Sequence, residues 1–135
     1  MRKMILYFCS IFIILLITLL ILYLYEKDLD PNIEFLESYG WKVIDKEIET
    51  EEIIIPETFD NVYINYNNVQ KEAGLDLTPY KGMKAIRYTY QVINYPIKTD
   101  EIVRANVICI NNIPIAGDIM TVSINGFMHS LRYPE

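Results

Sequence analysis

His129 is the only histidine in the chain, and any acid–base chemistry near neutral pH would start there. An imidazole can move protons if a nucleophile or an orienting carboxylate stands beside it. Ser130 is adjacent in sequence, which on an extended chain sends the two side chains apart. Asp118 is the carboxylate that folding could bring near, if the last strand ends beside the C-terminal segment. His129 with Asp118 is therefore the candidate pair for a small hydrolase-type enzyme. The plainer reading is that His129 packs or caps the C-terminal turn.

Other chemistries find less support. Zinc takes clustered Cys and His, and the chain has two cysteines, Cys9 and Cys109, far apart. Cys109 sits inside Val107-Ile108-Cys109-Ile110 and reads as a buried, inert thiol. Glu47, Glu49, Glu51 and Glu52 are dense but lack the Asp-x-Asp-x-Asp-Gly spacing of a calcium loop, so they read as solvated surface. Gly82, Gly117 and Gly126 form no phosphate-cradling loop. No metal or cofactor is expected. Eight of the eleven tyrosines lie beyond residue 25. Tyrosine is favoured at binding surfaces. Most of these rings are expected to fill the layer between a helix and a sheet. Tyr80 and Tyr95, in predicted loops, are the candidates for a surface site, together with Arg87 and Arg104.

The elements that must position these residues follow from periodicity. Asp30-Pro31 opens a helix, with Ile33, Leu36 and Tyr39 at helical spacing and Gly40 at its end. Trp41, Val43 and Ile44 suggest a strand. The acidic residues 45–52 read as an exposed strand edge or a hairpin turn, and Ile53-Ile54-Ile55 as a second strand stopped by Pro56. A helix follows with an apolar stripe of Phe59, Val62, Tyr63, Tyr66, Val69 and Ala73. Asp60, Asn61, Asn65, Asn68, Lys71 and Glu72 take its other faces. Three strands come next: residues 83–94, with Arg87, Thr89 and Gln91 opposite the apolar face; residues 101–110; and residues 113–124. Asn111-Asn112 makes a tight hairpin, and a bulge is expected at Gly117-Asp118. Residues 127–129 form a short closing tail. The order α-β-β-α-β-β-β predicts an α+β domain with about two helices on one face of a mainly antiparallel sheet.

The start of the chain is of a different kind. Residues 4–25 hold no charge, and a run of roughly 20 apolar residues matches the hydrocarbon thickness of a bilayer. Arg2 and Lys3 precede it, so the N-terminus is expected in the cytoplasm and the rest outside. Its end, Leu22-Tyr23-Leu24-Tyr25, lacks the small residues of a cleavage site, so an uncleaved single-pass anchor in the cell membrane is expected. The organisation becomes a cytoplasmic tail at 1–3, an anchor at 4–25, a linker at 26–32, an extracytoplasmic domain at 33–131 and a tail at 132–135. All eighteen acidic but only ten of twelve basic residues lie beyond the anchor. That balance argues against nucleic acid and favours a cationic partner or simple solubility.

One ordered set of fragments resembles a known family. It runs from Phe35-Leu36-Glu37-Ser38-Tyr39-Gly40-Trp41 through Ile55-Pro56-Glu57-Thr58-Phe59-Asp60-Asn61-Val62-Tyr63 and Tyr66-Asn67, with Gln70 and Gly74. It continues with Tyr80-Lys81-Gly82, Arg87-Tyr88-Thr89-Tyr90, Asn94-Tyr95-Pro96, Gly117-Asp118 and Gly126-Phe127-Met128-His129. The set is similar to domain of unknown function 4830, small membrane-anchored or exported proteins of Gram-positive bacteria. Ala116 departs from it where a second glycine is expected. The resemblance covers residues 33–131 and implies a fold and an address but no activity. The expected role is a noncatalytic module binding an envelope protein, a peptide or a wall component. A hydrolase using His129 and Asp118, or a small-ligand sensor with a pocket between helix and sheet, are the alternatives.

Overall fold

A computed structural model describes residues 1–27 and 30–134, and the chain divides into two compact units, Met1–Asp30 and Pro31–Glu135. In the first unit, a stretch of 18 residues with mean hydropathy 3.1 lies within helix α1 (Arg2–Lys27), in a span of 24 residues, Arg2–Tyr25. At 1.5 Å per residue these extend about 36 Å, enough to cross a bilayer core of about 30 Å. The hydroxyls of Ser10 and Thr18 donate to the carbonyls of Tyr7 and Ile14 within the helix, which removes the cost of carrying them into hydrocarbon.

The second unit opens with helix α2 (Pro31–Ser38). Proline suits the first helical position, and Gly40 takes φ +91° at the end. The N–H of Trp41 then returns to the Leu36 carbonyl and that of Gly40 to Glu37, closing the helix in the manner glycine allows. Strand β1 (Val43–Ile54) follows as one continuous element, where the sequence suggested two strands around an acidic interruption. It is exposed for nearly its whole length, which is why it shows no apolar alternation. Of the two readings of the acidic stretch, the strand edge is the one realised.

Helix α3 (Asn61–Glu72) is capped by Asp60, whose side chain accepts from the Tyr63 N–H at 2.8 Å. Asp60 thus precedes the helix instead of lying on a face of it. The helix is also rotated from the expected stripe. Val62 is 76% exposed, whereas Asn67 and Gln70 are buried. Asn67 accepts from the Leu77 N–H at 2.8 Å and donates to Asp76 at 2.9 Å. It thereby fastens the following 3-10 turn (Thr78–Tyr80). A buried amide is tolerated because its partners are supplied.

Strands β2 (Lys84–Val92), β3 (Arg104–Ile110), β4 (Ile113–Met120) and β5 (Met128–Ser130) complete the sheet. The order is β1-β2-β3-β4-β5, with every neighbouring pair antiparallel. Asn111 and Asn112 take φ +50° and +61° in the β3–β4 hairpin, as expected of a two-residue turn. The closing tail supplies a fifth strand, and the strand expected to run to Ile124 ends at Met120. The bulge lies at Ile115, where Ile108 pairs with Ala116 but Cys109 with Pro114. Gly117-Asp118 remain in register. Proline has no N–H for the ladder, so the break falls beside it. Gly117 is required for space instead: a Cβ there would stand 2.5 Å from the Asn106 carbonyl oxygen and 2.9 Å from Leu131.

The α+β class holds, but the two helices serve opposite faces of the sheet. The α2 face carries Tyr90, Val92, Ala105, Val107, Cys109 and Ile119 under Leu36 and Trp41. The Asn32 amide donates to the Tyr90 hydroxyl, and the Cys109 thiol donates to Asn32. The other face carries Ala85, Ile108 and Ala116 against Tyr63 and Tyr66 of α3. Strand alternation requires this division, since Tyr90 and Thr89 cannot face the same way.

Candidate functional site: an aromatic stack and a buried polar row

His129 lies on the α2 face, opposite Ile119 in the β4–β5 ladder. Its Nδ1 is 2.7 Å from the Ser130 carbonyl oxygen. A carbonyl only accepts, so Nδ1 carries the proton, and in the neutral ring Nε2 then accepts from the Tyr95 hydroxyl at 3.2 Å. Phe127 stacks on the imidazole with centroids 5.5 Å apart, and Tyr95 stacks on Phe127 at 5.1 Å. Trp41 closes the group, 6.0 Å from Tyr95 and 4.7 Å from Tyr133. The Trp41 N–H donates to the Leu131 carbonyl at 2.6 Å. Both imidazole nitrogens are thus engaged in holding the C-terminal strand.

Asp118 points to the other face, since its ladder partner is Ser130. The two residues proposed as a catalytic pair therefore stand on adjacent strands with side chains on opposite sides, and no hydrogen bond joins them. Asp118 is 1% exposed. It accepts from the Asn106 amide at 2.9 Å and the Tyr66 hydroxyl at 2.8 Å. Asn106 in turn accepts from the Thr89 hydroxyl at 2.7 Å. Thr89, Asn106 and Asp118 are direct partners across three strands, so they form one buried row. Burial pushes the Asp118 carboxyl up, against the hydrogen bonds from Asn106 and Tyr66 that pull it down. Burial and the neighbouring Asp118 push Tyr66 well above the usual phenol range.

The two arginines flank this row. Arg87 pairs with Glu51 and Arg104 reaches Glu49 at 3.6 Å. Arg87 also borders a groove of about 630 Å³ between α3 and the sheet, lined by Ile53, Val62, Tyr63, Tyr66, Ile108 and Met128 among others. Tyr80, expected at a loop surface, packs half-buried in the 3-10 turn beside the α3-side core. Tyr95, expected likewise, is a member of the aromatic stack. Among the described residues no three metal-ligating side chains converge. Trp41, Phe127, Tyr133, Tyr66, Thr89 and Asn106 were not anticipated as site residues. The one signal was the alternation of Arg87, Thr89 and Gln91 with apolar residues, which read as a solvated face while Thr89 is in fact buried.

The sequence model of one family, described as a domain of unknown function (DUF4830), matches residues 35–119, well over half of the chain. The chain belongs to that family. The match runs from Phe35 in α2 to Ile119 in β4. It therefore takes in Arg87, Arg104, Asp118 and the whole buried row, and leaves α1, β5 and His129 outside. It is shorter at the C-terminal end than the stretch the resemblance covered. No curated protein and no solved structure matches the chain.

Proposed function

We propose that this family member is a single-pass membrane protein whose acidic α+β domain is a noncatalytic binding module on the outer face of the cell membrane. The anchor reading rests on α1, which carries no charged residue from Met4 to Tyr25, and the orientation on Arg2 and Lys3 ahead of that stretch. The binding reading is carried by one observation: the groove between α3 and the sheet, open to solvent and rimmed by apolar side chains. Ile54 is 66% exposed there, beside Val62. Exposed apolar clusters of this kind mark interaction sites. The partner is another envelope protein, a peptide or a wall component.

The groove also favours a second reading, a small-ligand sensor, because Asn65 and Arg87 add polar groups to an otherwise apolar lining. The two readings separate by size of occupant. Cross-linking of the full chain in intact membranes is expected to capture one specific macromolecular partner across growth conditions. Capture of none, with a thermal shift produced by a small-molecule library, would leave the sensor in its place. Externally added protease is expected to remove the domain from intact protoplasts, and its survival would reverse the orientation.

A further inference from the structure

The geometry points to the outer edge of β1, from Glu49 to Ile54, as the place where an extended cationic segment of a partner protein adds as a sixth strand. This rests on the binding-module reading and specifies how the partner is held. The parity of the edge follows from its end. The Ile55 N–H donates to Met83 and the Ile55 carbonyl accepts from Gly82, so Ile55 faces β2. Pairing runs without a shift from Glu49↔Thr89 to Ile54↔Lys84. Glu49, Glu51 and Ile53 therefore also face β2, while Thr50, Glu52 and Ile54 turn their N–H and C=O groups outward. Among the described residues no segment pairs with that side. The irregular stretch between Val43 and Glu49 blunts the first half of the edge, as bulges do. The second half is straight.

Two further features make this segment a receptor for a strand. The grooves on the two faces of the sheet meet at Ile53 and Ile54. One is the groove under α3; the other, of about 650 Å³, is bordered by Glu52, Lys84, Ile86 and Asn111. Side chains of an added strand alternate between faces, so successive residues enter the two grooves in turn. Strand addition gains affinity from main-chain bonds and specificity from such alternate pockets. Charge then selects the occupant. β1 carries Asp45, Glu47, Glu49, Glu51 and Glu52 against Lys46. Glu49 and Glu51 reach Arg104 and Arg87, whereas Glu52 meets no cation among the described residues. A second copy of β1 would set acid beside acid, which is unfavourable across a ladder. Lysine or arginine opposite Glu52, with an apolar residue opposite Ile54, fits.

The test uses the full chain in detergent micelles and a synthetic peptide repeating Lys-Lys-Val-Val over about ten residues, the length of a long strand, so that Lys and Val take turns along each face. Binding is expected to protect the amides of Thr50, Glu52 and Ile54 from hydrogen exchange. Thr50→Pro deletes an outward N–H without touching the inner ladder or the charge, a position where proline is tolerated. It is expected to weaken the peptide at least tenfold. Equal binding by wild type and Thr50→Pro, or protection elsewhere, would overturn the inference. Should Thr50→Pro fail to fold, Glu52→Arg is expected to lose the Lys-Val peptide about tenfold and to gain one repeating Glu-Glu-Val-Val; an unchanged preference is equally fatal. A doubling of mass that Thr50→Pro abolishes would assign the edge to a second copy and reject the cationic segment. In membranes, a partner cross-linked equally by both proteins keeps the binding module and rejects the strand edge; no partner at all rejects both.

Discussion

Asp118 is the residue on which the buried row turns. It is the shared acceptor for the buried Asn106 amide and the part-buried Tyr66 hydroxyl. Asp118→Ala is expected to cost about 1–3 kcal/mol for each donor left unsatisfied. Asp118→Asn keeps an acceptor for Asn106 and offers an N–H to the Tyr66 oxygen, so it should cost less than alanine. The pH dependence has a definite sign. Burial raises the Asp118 carboxyl in the folded chain, so folding favours its protonated form. The stability this group contributes is fully present below the unfolded value of about 3.9. It is lost as pH rises through the folded value. Asp118→Asn removes that loss. Urea denaturation at pH 4 and pH 7 is expected to show Asn gaining on wild type as pH rises; a constant difference would mean the carboxyl does not titrate differently on folding.

At the scale of elements, β1 and α3 show the same principle from opposite sides. β1 looked broken because all of its apolar residues but Ile48 lie at its ends, and an edge strand with both faces wet has no need of alternation. α3 looked amphipathic along Phe59, Val62 and Tyr66, yet it buries Asn67 and Gln70 because the connector and the edge of β4 need their hydrogen bonds. Gln70 accepts from the Gly117 N–H at 2.9 Å, beyond the reach of β5. The start of α3 depends on Asp60. Asp60→Ala is expected to destabilise the domain by about 1 kcal/mol, read as a lower melting temperature. Asp60→Asn, which preserves the acceptor, should restore most of it. No shift with alanine would mean that packing alone holds the first turn.

At the scale of the whole molecule, the two units differ in where their apolar side chains lie. α1 pairs the backbone groups of its interior within itself and exposes apolar side chains all round, which suits lipid; Pro31–Glu135 buries apolar side chains on both faces of one sheet. Deleting residues 1–27 is expected to move the domain from the membrane fraction to the supernatant while leaving its circular dichroism spectrum that of an α+β protein. A truncated chain that still sediments with membranes would mean the domain itself holds lipid or an integral partner.

Periodicity, composition and turn residues were enough for the apolar span, the α+β class and the Asn111-Asn112 hairpin, because each is written in neighbouring residues, and the ordered set of fragments that carries the resemblance was enough for the family. Tertiary structure decided the rest. Which face each helix covers, that His129 serves the aromatic stack while Asp118 serves the buried row, and that β1 is an open edge all depend on strand register. Register is a relation between segments far apart in the chain, and a one-residue difference sends a side chain to the opposite side of the sheet.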